Sequence, residues 1–235
     1  MLKLYKFGQV GDVCDASSFC AKVEAYFRLA NLPYDTASGP QYLCKAPKGK
    51  LPFIEDNGKL IADSSFIIRY VQDTYNANID SHLSAIEKAI AHAFIKMLDE
   101  NLYWVLVHAR WQLPHNITTL HKTFFDSIPF PMNKIIAYTA RRDVLSKLQK
   151  QGMGRHSNAE ITEIGKQDLN ALSVLLGDKT YFFGDKPSSL DAAAYATLMQ
   201  MLLVTEFTAP IFDAAKSYTN LVEFTNRFHA KYFPN

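Results

Sequence analysis

Two hydrophobic periods divide this chain. In its N-terminal third, Leu2, Leu4 and Phe7 surround Tyr5 in a short apolar run that predicts an opening strand, and a polar loop runs from Gln9 to Ser18. Val23, Phe27 and Ala30 then recur at helical spacing, which predicts a helix from about Ser18 to Ala30. Asn31-Leu32-Pro33 ends it, because a proline disfavours helical geometry in the residue before it. A second strand is expected over Tyr34 to Ala37, followed by a lysine- and glycine-rich surface loop from Ser38 to Lys50. Leu51 to Glu55 reads as a strand and Leu60 to Ala62 as its partner. Asp56-Asn57-Gly58-Lys59 between them carries the type I′ hairpin signature. Phe66, Ile67, Tyr70 and Val71 form the apolar face of a short closing helix.

From Ser81 onward only the helical period remains. Leu83, Ile86, Ile90, Phe94, Met97, Leu98, Leu102, Val105 and Leu106 mark one long helix, and Ser84 with Glu87 three residues on is a capping box at its start. Further helices are predicted around Lys134–Gln149 and Asn158–Leu176. A second capping box, Ser188 with Asp191, opens a helix over Ala192 to about Val204 that is apolar nearly all round and so belongs in a domain centre. Tyr181-Phe182-Phe183 is too short and isolated for a strand. The polar linker Asn76 to Ser81 separates an α/β unit, residues 1–76, from an all-helical unit, residues 82–235.

Composition narrows the function. Hydrophobic residues make up 48% of the 235, a folding composition. The 25 basic and 23 acidic side chains nearly balance, which argues against nucleic-acid binding. Cys14, Cys20 and Cys44 cannot all pair within one chain, match no zinc spacing and suit a reducing compartment. MLKLYKFGQ holds no signal-peptide run, and the most apolar stretch, Met199 to Val204, is far too short to cross a bilayer. The expectation is a cytoplasmic protein with no integral membrane segment and no metal.

Three places carry candidate chemistry. Lys50-Leu51-Pro52 puts a proline at the start of a strand, a candidate cis bond that would leave the Leu51 backbone free to grip an extended peptide, although the residues alone favour a trans proline at a strand edge. Asp63-Ser64 opens a helix, where a hydroxyl and backbone N–H groups suit a carboxylate and the Asp suits an ammonium; an ordinary N-cap is the plainer reading. Ser17-Ser18-Phe19-Cys20 enters the first helix, where a hydroxyl can steady a thiolate or simply cap, and where Cys20 can be a small buried hydrophobe. Tyr103, Trp104, His108 and Trp111 cluster on the long helix as either a second substrate pocket or an aromatic core. Arg141-Arg142 reads as a solvated face.

In this order and spacing the three places resemble the glutathione transferase superfamily, and FFGDKPSSLDAAAYATL is similar to its helical-domain signature. SSFCAKVEAYFRLANLPY, GKLPFIEDNGKLIADSSFIIRYV, KMLDENLYWVLVHARW and the stretch from GMGRHSNAEI to LLGDKTYFFGDKPSSLDA resemble the failed axon connections and metaxin-like branch, from about Ser17 to Ala192. The resemblance implies a thioredoxin-like N-terminal domain and an all-α C-terminal domain. It also implies glutathione as co-substrate, held by Lys50, Leu51, Pro52 (with a cis bond), Asp63 and Ser64. Ser17 would steady its thiolate for attack on a small hydrophobic electrophile, a detoxification chemistry, with Tyr103, Trp104, His108 and Trp111 as acceptor pocket and a homodimer as the assembly it allows. Two departures stand out: Ser18 occupies a place that is often proline in the superfamily, and the first-position thiol is replaced by Ser17. Asp63-Ser64 is kept where some branch members carry Gly-Thr. Because metaxins act in protein import and assembly, a non-catalytic interaction module is the alternative. A glutathione-dependent thiol oxidoreductase using Cys14 or Cys20 is a third, weakened because Cys20 lies a turn into the helix and no C-x-x-C motif precedes it.

Overall fold

The computed structural model describes residues 1–126 and 128–234. Its sheet has four strands, β1 (Lys3–Lys6), β2 (Asp35–Ser38), β3 (Phe53–Asp56) and β4 (Lys59–Ala62), in the order β2-β1-β3-β4. β1 runs parallel to β2 and antiparallel to β3, and β3 is antiparallel to β4. Asn57 and Gly58 both hold positive φ (49° and 82°), the conformation that a type I′ turn demands. Helix α1 (Ser18–Leu29) crosses from β1 to β2, and α2 (Ser64–Tyr75) follows the hairpin. Strand alternation sorts the core: Leu4 and Ile54 face α1 and α2, where Val23, Phe27, Ile67 and Val71 are buried, while Tyr5 and Phe53 stack at 4.3 Å on the opposite face.

The rest is helical: α3 (Ala85–Met97), α4 (Tyr103–Trp111), α5 (Ile117–Phe125), α6 (Met132–Gln151), α7 (Asn158–Leu176), α8 (Ser189–Leu202), α9 (Pro210–Lys216) and α10 (Thr219–Tyr232). This is the expected architecture of a small mixed α/β unit followed by helices. Within it, α8 is buried at every position from Ser189 to Met201 and packs against α1, α3, α9 and α10. Asp191 starts it from inside the core, accepting hydrogen bonds from the Ser188 N–H (2.8 Å), the Ser188 hydroxyl (2.6 Å) and the Phe182 N–H (3.0 Å).

The long helix from Ser84 runs without a break to Trp111 but is not α-helical throughout. Its capping box with Glu87 forms as expected, but residues Leu98–Leu102 make a π-helical turn between α3 and α4. The inserted turn puts Asp99 on α1, where both its oxygens accept from the Lys22 ammonium at 2.8 and 2.6 Å. The loop from Ser38 to Lys50 contains a 3-10 turn, Pro40–Cys44. Helices α5, α9 and α10 are additional to those the sequence predicts. In α10 the buried Leu221, Phe224, Thr225 and Phe228 do keep helical spacing. Among the described residues no helix is long and apolar enough to cross a membrane.

Candidate functional site

A cleft of about 1560 Å³ lies between the sheet unit and the helices, with Ser17, Lys50, Leu51, Pro52, Asp63 and Ser64 on one side and Tyr103, Trp104 and Trp111 on the other. Ser17 is the N-cap of α1, and its hydroxyl accepts from the Cys20 N–H at 3.4 Å, the long end of the hydrogen-bond range. That contact is weak, and the partly exposed Ser17 lines the cleft.

The loop carrying Ser17 is tied down from below. The buried Asp15 carboxylate accepts from the Gly8 N–H at 2.7 Å and the Ser17 N–H at 2.8 Å. Gly8 sits at φ +117°, a conformation L side chains rarely adopt. Burial pushes the Asp15 carboxyl up to about 7 although the two amides oppose the shift.

Leu51 stands just ahead of the first β1–β3 pair, Tyr5 with Phe53, so its backbone lies outside the ladder and on the cleft wall. The Leu51–Pro52 peptide bond is cis, as expected; a second cis bond joins Phe130 and Pro131. Lys50 beside it is exposed. Asp63 is the N-cap of α2, with Oδ1 accepting from the Ser65 N–H at 3.0 Å and the Phe66 N–H at 3.4 Å. The capping role is therefore real for Asp63, and it leaves Oδ2 for another cation. Ser64 is buried at the first helical position against the cleft.

The Phe19 ring of α1 reaches across to within 4.7 Å of the Tyr103 ring on the facing wall, and Tyr103 lies 5.3 Å from Trp104. Trp111 contacts Phe124 and Phe125 of α5 at 6.0 and 6.4 Å, extending the apolar wall along the helices. His108 departs from expectation. It sits on the far side of α4, buried, with Nε2 3.1 Å from the Asn158 Oδ1 at the start of α7. Three positions from Trp111 does not bring it to the same wall, and burial lowers its proton affinity. It contributes to packing rather than to the acceptor pocket.

Neither Cys14 nor Cys20 lines the cleft. Cys20 is fully buried, and burial holds its thiol well above the usual range; the Cys14 thiol is raised for the same reason. Reactive thiols need the opposite shift. No metal-holding group of three or more His, Cys, Asp or Glu side chains occurs among the described residues.

Sequence reading missed the groups that hold the loop: Asp15, Arg110 and Gln200. Arg110 donates to the Ala16 carbonyl at 3.1 Å and to the Gln200 carbonyl and amide oxygen at 3.1 and 2.8 Å. Gln200 donates onward to the Asp15 carbonyl at 2.9 Å. A long polar side chain inside α8, otherwise so apolar, was the available signal.

Profiles of the glutathione S-transferase N-terminal and C-terminal domains match residues 18–116 and 165–228. Failed axon connections of Drosophila melanogaster is 34% identical over all of this chain, which spans 59% of that protein's length. The isoprene-epoxide–glutathione S-transferase of Rhodococcus sp. (strain AD45) is 32% identical, covering 84% of this chain and 85% of its own. Human metaxin-2 is 26% identical over 90% of this chain and 80% of its own length. The crystal structure of a Ceriporiopsis subvermispora glutathione S-transferase in complex with glutathione superposes with a TM-score of 0.62 at 19% identity, over 100% of this chain and 98% of the other, and so shares the fold. A small sheet domain and helical domain of this order, matched across both halves by these relatives, make the chain a member of the glutathione S-transferase superfamily, with similarity to failed axon connections and the metaxins.

Proposed function

We propose that this chain binds glutathione along the sheet side of the cleft and transfers its thiolate to a small hydrophobic electrophile bound against the helical wall. The observation that carries the reading is the convergence of Ser17, Leu51 and the Asp63-Ser64 pair on one wall, opposite Tyr103, Trp104 and Trp111. Leu51 would pair its free backbone with the extended tripeptide. The Ser64 hydroxyl and the α2 N-terminus would take the γ-glutamyl carboxylate, and Asp63 Oδ2 the ammonium. Lys50, exposed at the cleft edge, would meet the glycine carboxylate. Ser17 would donate to the sulfur and favour its ionised form. The thiolate then forms the new C–S bond with the electrophile, whose leaving group or opened ring accepts the electron pair. The apolar wall, extended by Phe124 and Phe125, would hold the electrophile by burial rather than by charge.

A second reading is a non-catalytic interaction module that keeps the fold and the ligand. Its support is the similarity to metaxin-2 and the use of Asp63 as a helix cap, a structural task that needs no ligand. Glutathione titration by calorimetry, followed by a panel of haloarenes, epoxides and enals, separates the readings. Binding with turnover supports the transferase, and binding without turnover supports the module. Absence of heat at millimolar glutathione overturns both.

A further inference from the structure

The most heavily engaged charge on the cleft lies outside the glutathione-binding set. Arg110 is on α4 and buried, with no carboxylate within hydrogen-bond distance among the described residues. Its Nε has no hydrogen-bond partner among the described residues and the Glu206 carboxylate only attracts its charge from a distance, so the guanidinium is held through its two terminal nitrogens. Burial brings its proton affinity down to about 10, which still leaves a cation at neutral pH. Two of its nitrogens reach outward: Nη1 to the Ala16 carbonyl, and Nη2 to the main-chain and side-chain oxygens of Gln200. The Phe207 ring lies 4.8 Å from its Cζ and covers the remaining face. Gln200 completes the bridge by donating to the Asp15 carbonyl.

Both captured carbonyls belong to the two residues immediately before Ser17. The loop is thus gripped twice. Asp15 draws the Gly8 and Ser17 amides together from within the sheet unit, and Arg110 with Gln200 pulls the Asp15 and Ala16 carbonyls from the helical unit. The Ser17 side chain itself is held only loosely, its hydrogen bond from the Cys20 N–H being 3.4 Å long and its other neighbour the Cys20 thiol. The direction of the hydroxyl is therefore set by the backbone beneath it, and that backbone is fixed across the boundary between the two units.

We propose that Arg110 and Gln200 are positioning residues that act through the Asp15–Ala16 backbone to aim the Ser17 hydroxyl at the glutathione sulfur. The proposal rests on the reading of Ser17 given above. It makes the helical unit a determinant of thiolate formation as well as the wall of the acceptor pocket. A purely structural pair would hold the two units together without affecting the ionisation of bound glutathione.

The test is the ionisation of the bound thiol, read from thiolate absorbance as pH is raised on the full-length protein saturated with glutathione. Arg110→Met and Gln200→Met are each introduced alone and on a Ser17→Ala background. Gln200→Met leaves the Arg110 charge in place, so it separates positioning from a simple electrostatic effect, and it decides the question alone if Arg110→Met does not fold. Each single variant is expected to raise the bound thiol pKa by about one unit, a tenfold loss of thiolate below that pKa, the lower range of one charge-assisted hydrogen bond. Glutathione affinity should change less than about threefold. On the Ser17→Ala background neither should add a further shift. An unmoved thiol in folded Gln200→Met, or a shift that persists undiminished without the Ser17 hydroxyl, overturns the proposal. If the unsubstituted protein binds glutathione without lowering its thiol pKa, the role of Ser17 fails and takes the proposal with it, an outcome distinct from failure of Arg110 and Gln200 alone.

Discussion

Replacing Ser17 by alanine separates chemistry from fold, because the hydroxyl contributes little to the fold. Its hydrogen bond from the Cys20 N–H spans 3.4 Å, so the cap is worth about 0.5 kcal/mol, the low end for such residues. A hydrogen bond to a thiolate is worth about 1.5–3 kcal/mol, and at 1.36 kcal/mol per unit this moves the thiol by about one to two pKa units. Starting from about 8.5 for an unperturbed thiol, glutathione bound beside Ser17 should titrate near about 7. Ser17→Ala should return it toward 8.5, cutting the thiolate present at neutral pH from about one half to a few per cent. Turnover with a fixed electrophile should then fall about tenfold or more, with KM for glutathione little changed and the thermal midpoint down by no more than about 3 °C. The assay pairs a pH titration of thiolate absorbance with steady-state kinetics. Unchanged thiol ionisation in the correctly folded variant would remove Ser17 from the chemistry.

Three further outcomes follow from the same geometry. Asp63→Asn keeps the cap and the tolerance for φ 84° while removing the charge; since the site is exposed, glutathione affinity should fall about threefold to fivefold by calorimetry, and no change would clear Asp63 of contact with the ammonium. Burial raises Asp15 from 3.8 to about 7, so the folded state holds a proton that the unfolded state releases between about pH 4 and 7, and stability falls as pH rises through that window. Relative to the wild type, Asp15→Asn should therefore gain about 2–3 kcal/mol between pH 5 and pH 8 in denaturant melts, whereas a flat or falling difference contradicts the burial argument. Asp191→Ala leaves the buried Phe182 and Ser188 donors unpaired and should cost about 3 kcal/mol or more; a loss under about 1 kcal/mol would mean that α8 is not anchored by its capping box.

The parts legible in the sequence were those with a local cause. Gly58 and Asn57 had to turn the hairpin, Ser84 with Glu87 and Ser188 with Asp191 had to cap, and the apolar run of α8 had to be buried; each needed only neighbours in the chain. The π-helical turn at Leu98–Leu102 was hidden because its cause is distant: it brings Asp99 to Lys22, 77 positions earlier. His108 was misplaced for a related reason. The spacing of Tyr103, Trp104 and Trp111 defines a wall, and only the packing of α7 on α4 shows that His108 turns away from it to Asn158. Arg110 and Gln200 were overlooked because their partners, Ala16 and Asp15, are main-chain carbonyls, which leave no trace in the order of residues.

The central claim, that glutathione lies along the Ser17, Leu51 and Ser64 wall, is tested most directly by following backbone amide resonances of the full-length protein as glutathione is added. Saturable shifts are expected to concentrate at Gly8, Ser17, Leu51, Ser64 and Ser65, on the sheet side of the cleft. Shifts confined instead to the exposed apolar face of α6 around Ile135 and Tyr138, or no shifts at saturating glutathione, would contradict it.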